Sequence, residues 1–339
     1  MTDTLLSVRD LGVSYQVGDL QIKAVSGASF EVPKGAIVGL VGESGCGKTT
    51  LARAITRIIA DNAAITGGEM LFDGVDLIEL SEPDMNALRW RDIAFIPQSA
   101  MNSLDPVYTV EFQLNEVLRD RGGLGRKAAR QRCEELFEMV GIEVSRLRHY
   151  PHQFSGGMRQ RVAIALALAL NPKLIVADEP VTALDVIVQR QILDQLQSLQ
   201  TQLNISVILV THDISVVAYI CDRTVVMYAG NVIESGETYA ILTAPLHPYT
   251  MGLKNAFPDI KGAGSGVLTP IDGSPPNLAD PPKGCRFAPR CPFAIEVCST
   301  QNPVGTEPTP GHFVACHRSH EAETLRIEAT KSETWQVGT

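Results

Sequence analysis

Residues 42–49 read Gly-Glu-Ser-Gly-Cys-Gly-Lys-Thr, the G-x-x-x-x-G-K-S/T spacing of a loop that can hold a chain of phosphates. Gly42, Gly45 and Gly47 let the backbone fold tightly, so that successive N–H groups of Glu43, Ser44, Cys46 and their neighbours face one anion. Lys48 brings a point charge to the terminal phosphates of a nucleoside triphosphate such as ATP. The hydroxyl of Thr49, next to Thr50, is a hard oxygen donor suited to Mg2+. A glycine-rich turn without a ligand is the bland alternative. It fits poorly, because an apolar strand precedes the loop and an amphipathic run over 51–59 follows it. Cys46 reads as a small filler rather than a redox switch.

A second chemistry-bearing stretch is Leu-Ile-Val-Ala-Asp178-Glu179, an apolar strand ending in two acids. In open α/β sheets ligands gather at the carboxyl ends of strands. Asp178 is placed to hold Mg2+ through water, and Glu179 to polarise the water that attacks a phosphate. Taken alone, the two acids could equally be a solvated pair. The next strand ends at His212, an equivalent position near a γ-phosphate. Gln98 follows another short apolar strand, within reach of the metal or the water. Phe154-Ser155-Gly156-Gly157 opens a helical run to residue 170. Ser155 has N-cap chemistry, and the glycines admit an anion to the helix start. One small domain does not need two phosphate-binding helix ends for one nucleotide. The simpler solution is that this end caps a nucleotide held by a second subunit.

These residues require a sheet to carry them. Stretches 36–41, 174–177 and 207–210 are apolar on both faces, as buried parallel strands are. Between the last two, Ile192, Leu196, Leu199 and Leu203 recur at helical spacing, giving a strand–helix–strand crossover. Stretches 5–15 and 22–32 are rich in β-formers and predict an antiparallel pair. Stretches 224–228 and 232–234 predict a hairpin joined at Gly230-Asn231. The fold class is α/β.

In this order the motifs closely resemble the ABC-type ATPases: phosphate loop at Gly42, glutamine loop at Gln98, signature at Ser155, acidic strand at 178–179, Ala183-Leu184-Asp185 as D-loop, and His212 as switch histidine. The signature begins Phe-Ser-Gly-Gly where Leu-Ser-Gly-Gly is commonest, leaving the phosphate-facing residues intact. The resemblance covers about residues 5–240. It implies a RecA-like parallel core, an antiparallel β subdomain and a helical signature subdomain. It also implies Tyr15 stacking on adenine, Asp185 among the nucleotide-binding residues, and two ATP molecules sandwiched head to tail between two such domains.

Further resemblances narrow the branch. His247-Pro-Tyr-Thr, Gly273-Ser-Pro-Pro, Gly284-Cys-Arg-Phe and Pro289-Arg-Cys-Pro, with the loop over 98–106, look like the dipeptide/oligopeptide importer ATPases. That branch implies a homologous partner ATPase forming a heterodimer, two membrane-spanning permease subunits whose coupling helix meets the loop after Gln98, and, indirectly, an extracytoplasmic solute-binding protein. It places the chain peripherally on the cytoplasmic face of the inner membrane.

Four of the seven cysteines, Cys285, Cys291, Cys298 and Cys316, fall late in the chain with spacing C-x5-C-x6-C-x17-C. No C-x2-C is present, so both the usual zinc-ribbon and the usual ferredoxin patterns fail. Spacing alone leaves the metal open. The resemblance implies a [4Fe-4S] cluster with a structural role, with zinc, unmetallated thiols or a disulfide as alternatives, and with His312 and His317 as substitute ligands.

The expected organisation is an ATPase domain over 1–245, a Pro/Gly-rich connector over 246–284, a small Cys-rich domain over 285–320, and a polar, partly disordered tail over 321–339. A hydrophobic share of 45% and a charged share of 20% fit a globular protein, and the net charge of −9 argues against coating nucleic acid. Acidic residues occupy the start, where a secretory signal would carry basic ones. The longest apolar run, 162–170, is far short of the roughly 20 residues that span a bilayer. Two readings compete with importer ATPase. A soluble ABC ATPase acting on DNA or ribosomes is disfavoured: too few residues separate Lys48 from Ser155 for the long coiled coil of chromosome types, and there is one ATPase domain where translation types have two. A redox-gated ATPase is the other.

Overall fold

The computed structural model describes residues 3–98, 103–255 and 270–335. The loop expected to meet a permease therefore lies partly outside the described residues, as does much of the expected connector. The chain forms two compact units that interleave in sequence. The first comprises the stretch up to Leu5, Val32–Ile37 and Asp76–Val210; the second comprises Leu6–Glu31, Val38–Val75 and the chain from Thr211 onward.

In the second unit, β1 (Thr4–Val17), β2 (Leu20–Pro33) and β4 (Ala63–Phe72) form an antiparallel sheet, with Leu6 opposite Phe72 and Tyr15 opposite Ala63. A short β5 (Val75–Asp76) completes the order β2-β1-β4-β5. This is the antiparallel pair expected from the β-formers, extended by two strands. The strand β3 (Ile37–Val41), buried throughout, runs parallel to β9 (Arg223–Tyr228), with Leu40 opposite Val225. β9 turns back into β10 (Asn231–Glu237) through Ala229 and Gly230, whose φ values of 46° and 86° make a turn with two left-handed residues. The turn lies one residue earlier than predicted from Gly230-Asn231. β12 (His312–Val314) then pairs with β10, and β11 (Thr306–Thr309) with β12.

In the first unit, β6 (Ile93–Ile96), β7 (Leu174–Asp178) and β8 (Ser206–Thr211) run parallel, with Ile93 opposite Leu174 and Leu174 opposite Ser206. Every residue of β7 and β8 is buried, so the apolar runs of the sequence are two-faced strands. The crossover helix Val186–Leu203 buries Ile192, Leu193, Leu196 and Leu199, and ends on the left-handed Asn204. Helices Val110–Glu116, Arg126–Met139 and Gly156–Ala167 supply the helical part of this unit.

Three expectations for the C-terminal third are corrected. The connector over 246–284 begins with a helix, Pro248–Asn255, in which Tyr249, Thr250 and Met251 are buried. The Cys-rich stretch is not a separate small domain. β12 joins the same sheet as β10, and Phe287 sits in one core with Tyr228 and Tyr249, ring centroids 5.2 and 5.4 Å away. The tail expected to be polar and partly disordered folds as far as it is described: helix Ala322–Ala329 buries Leu325 and Ala329, and Trp335 is 1% exposed with its indole N–H donating to the Ala329 carbonyl at 2.8 Å. A few apolar residues in polar text were enough to dock it. Among the described residues, no helix is long and apolar enough to cross a membrane.

Candidate functional site

The phosphate loop leaves β3 and ends in the helix Lys48–Ile55, which stops short of the expected 51–59 run. Gly47, the N-cap, has φ 101° and supplies no side-chain cap, so the helix presents its first N–H groups to a ligand. The glycines are required by crowding: a Cβ on Gly42 would strike the Met227 carbonyl oxygen, and one on Gly47 that of Ala24. Lys48 is 5% exposed, and its ammonium donates to the carbonyls of Gly42 at 2.7 Å and Glu43 at 2.9 Å. Cys46 is buried, with its Sγ 3.8 Å from Lys48 Nζ, and burial pushes its thiol pKa up. That is a filler, as expected. Ser44 and Gly45 are exposed, and Thr49 lies in the first helical turn. Thr50 Oγ1 is 3.2 Å from the hydroxyl of the half-buried Tyr15. His212 is exposed at the end of its strand, ahead of Asp213, which caps the helix Ile214–Ile220.

Glu43 is anchored from two other places in the same unit. Its backbone N–H donates to the Tyr249 hydroxyl at 3.0 Å. Its carboxylate takes a fork from Arg290, at 2.8 and 3.1 Å.

In the first unit, Asp178 ends β7 with no exposed surface. Glu179 follows with φ 47°, a left-handed backbone that costs energy in a non-glycine residue and tends to occur at functional positions. Its N–H donates to the Val210 carbonyl at 2.9 Å. Its Oε2 accepts from Gln98 Nε2 and from Thr182 Oγ1, each at 2.9 Å. Gln98 and Glu179, matched in sequence only by motif order, are thus directly bonded. Ser155 caps the helix Gly156–Ala167, its hydroxyl accepting the Met158 N–H at 3.3 Å. Gly157 lies so close to Val188 that a Cβ would come within 2.5 Å of its Cγ1. Asp185 caps the crossover helix through the Val188 N–H at 3.0 Å, after a left-handed Ala183 at φ 65°.

Cys285, Cys291, Cys298 and Cys316 line a small cavity of about 20 Å3, walled also by His247 and Phe287. Burial raises the thiol pKa of Cys285, of Cys291 to about 12 and of Cys316 to about 11. No disulfide links any of the seven cysteines. Among the described residues, no group of three or more His, Cys, Asp or Glu side chains is arranged to hold a metal ion. His312 is corrected as a substitute ligand: its Nε2 is bonded to the buried Glu234 at 2.8 Å. His317 lines the cavity and bonds the Gln301 carbonyl at 2.9 Å.

Sequence reasoning missed Thr182, Tyr249, Arg290 and Glu234. Tyr249 and Arg290 lie inside His247-Pro-Tyr-Thr and Pro289-Arg-Cys-Pro, but no spacing in the sequence connects them to residue 43.

Residues 25–182 match the ABC transporter family, and residues 233–298 match the oligopeptide/dipeptide transporter C-terminal region. Among solved structures, the chain is similar to a dimeric ATP-binding cassette in a post-hydrolysis state with ADP and Pi, at TM-score 0.62 and 29% identity, over 69% of this chain and 98% of that one. The fold is that of an ABC-type ATPase. The oligopeptide transport ATP-binding protein OppD of Bacillus subtilis is 44% identical, covering 91% of this chain and 87% of that one; OppD of Escherichia coli is 44% identical over 94% of each. The chain belongs to the ATP-hydrolysing, ATP-binding subunits of the dipeptide/oligopeptide ABC transporters.

Proposed function

We propose that this chain energises import of peptides or similar solutes by hydrolysing ATP in sites shared with a second ATPase subunit, docked with two permease subunits on the cytoplasmic face of the inner membrane. The observation that carries the residue roles is Glu179, held at an unusual backbone angle with one carboxylate oxygen bonded to Gln98. In this reading the loop 42–49 binds the phosphates and Tyr15 stacks on adenine. Thr49, Asp178 and Gln98 are oxygen donors that suit Mg2+. Glu179 polarises the attacking water, His212 contacts the γ-phosphate, and Ser155, Gly156 and Gly157, with Asp185, serve the partner's nucleotide. Names of relatives such as the dipeptide transport ATP-binding protein DppD support the solute class. An external solute-binding protein and a homologous heterodimer partner belong to the same proposal. Glu179→Gln should bind ATP with wild-type affinity while hydrolysis falls roughly 10²-fold or more. Wild-type turnover in that variant would sink the assignment.

We further propose that the four-cysteine cavity holds an iron–sulfur cluster. All four cysteines line one cavity with an aromatic wall, and thiolates are the donor chemistry of such a cluster once the thiols lose their protons. Bound there, it would cross-link the segments that carry Cys285, Cys291, Cys298 and Cys316.

A further inference from the structure

We infer that Arg290 is a positioning residue for the phosphate loop: it clamps Glu43, neutralises that carboxylate beside the phosphate-binding backbone, and thereby sets affinity for the nucleoside triphosphate. The inference rests on reading 42–49 as the ATP loop.

Arg290 is 8% exposed, and every guanidinium N–H has an acceptor. Nη1 donates to Glu43 Oε2 at 2.8 Å and to the Tyr228 hydroxyl at 3.2 Å; Nη2 donates to Glu43 Oε1 at 3.1 Å and to the Ile271 carbonyl at 3.3 Å; Nε donates to the Asp272 carbonyl at 2.9 Å. A lysine cannot reproduce this fork. The clamp is fixed in turn. Arg290 also lies over the Tyr228 ring, 5.8 Å from its centroid, and Tyr228 packs on Tyr249, whose hydroxyl receives the Glu43 N–H.

A glycine-rich loop has few side chains with which to grip the body of the protein, so its shape before the ligand arrives must be imposed from outside. Glu43 is a loop side chain that reaches out, to Arg290. It is also an anion placed where anions must bind. Charges a few ångströms apart in a partly buried setting interact by kilocalories, so an unneutralised Glu43 would repel the triphosphate. Arg290 therefore does two things, holding the loop and cancelling its charge, and the second can be separated experimentally from mere stability.

The test uses the full-length chain, with equilibrium binding of ATP measured by displacement of a fluorescent ATP analogue, alongside steady-state KM and kcat. Arg290→Met should weaken ATP binding about tenfold or more and raise KM with kcat much less affected. Adding Glu43→Gln to Arg290→Met should restore most of that affinity, because the repelling charge is gone. A structural role alone gives no such rescue. Arg290→Lys, which keeps the charge without the fork, should lie between, and it carries the test if the methionine variant does not fold. Wild-type affinity in Arg290→Met or Arg290→Lys would overturn the inference. So would a folded double variant that binds no better than Arg290→Met. Failure of the wild-type chain itself to bind ATP would instead overturn the reading of the loop, and the inference with it.

Discussion

Gln98 donates its side-chain amide to Glu179 Oε2 at 2.9 Å, and Thr182 donates its hydroxyl to the same oxygen at the same distance. One carboxylate oxygen of Glu179 thus carries both bonds. The two donors lie in the turns that follow β6 and β7, neighbouring parallel strands of one unit, so strand order brings those turns side by side.

Removing these donors should act on turnover more than on binding. Gln98→Ala is expected to lower kcat about tenfold or more with ATP affinity changed little. Thr182→Val should have a smaller effect in the same direction, of order the loss of one hydrogen bond to a charged group. Steady-state kinetics with parallel nucleotide binding decides the matter.

Ser155→Ala removes a helix cap worth about 1 kcal/mol. Thermal unfolding should show a small loss of stability. The larger effect should be on hydrolysis in the assembled transporter, while ATP binding by the isolated chain stays at wild type. Equal loss of binding would contradict a shared site.

Anaerobically purified chain should contain iron and acid-labile sulfide in near-equal amounts and absorb in the visible. Cys291→Ser should abolish the absorbance and lower the unfolding temperature, because the cysteine cavity borders the core around Phe287. Stoichiometric zinc without colour would refute the cluster.

Trp335→Ala should destabilise the second unit by about 3–5 kcal/mol, the range for a large buried aromatic. The ring packs so closely on Gly252 that a Cβ there would collide with it at 2.6 Å. Unfolding by denaturant, read against wild type, measures the loss. A variant as stable as wild type would show that the tail contributes no packing.

The parts of this protein legible in its sequence are those whose cause is local. β3, β7 and β8 read as strands because both their faces are buried, and the phosphate loop reads as itself because its glycines, lysine and threonine fall at fixed spacing within eight residues. Gly-Asn has better turn chemistry in the sequence than Ala-Gly, yet the hairpin turns one residue earlier, at Ala229, which adopts φ 46°. What stayed hidden is non-local. Arg290 meets Glu43 across 247 residues, and no period or spacing encodes such a pair. The folded tail was hidden for another reason: Leu325, Ala329 and Trp335 are too few to mark a pattern, and their burial depends on a core made elsewhere.

The clamp on Glu43 is assembled from Tyr249 and Arg290, and the core behind them is closed by Trp335. On the ribosome the loop 42–49 emerges long before its anchors, since Tyr249 lies 206 residues and Arg290 247 residues beyond Glu43. A nascent chain therefore carries a bare phosphate loop until Tyr249 and then Arg290 have been made and folded back onto it.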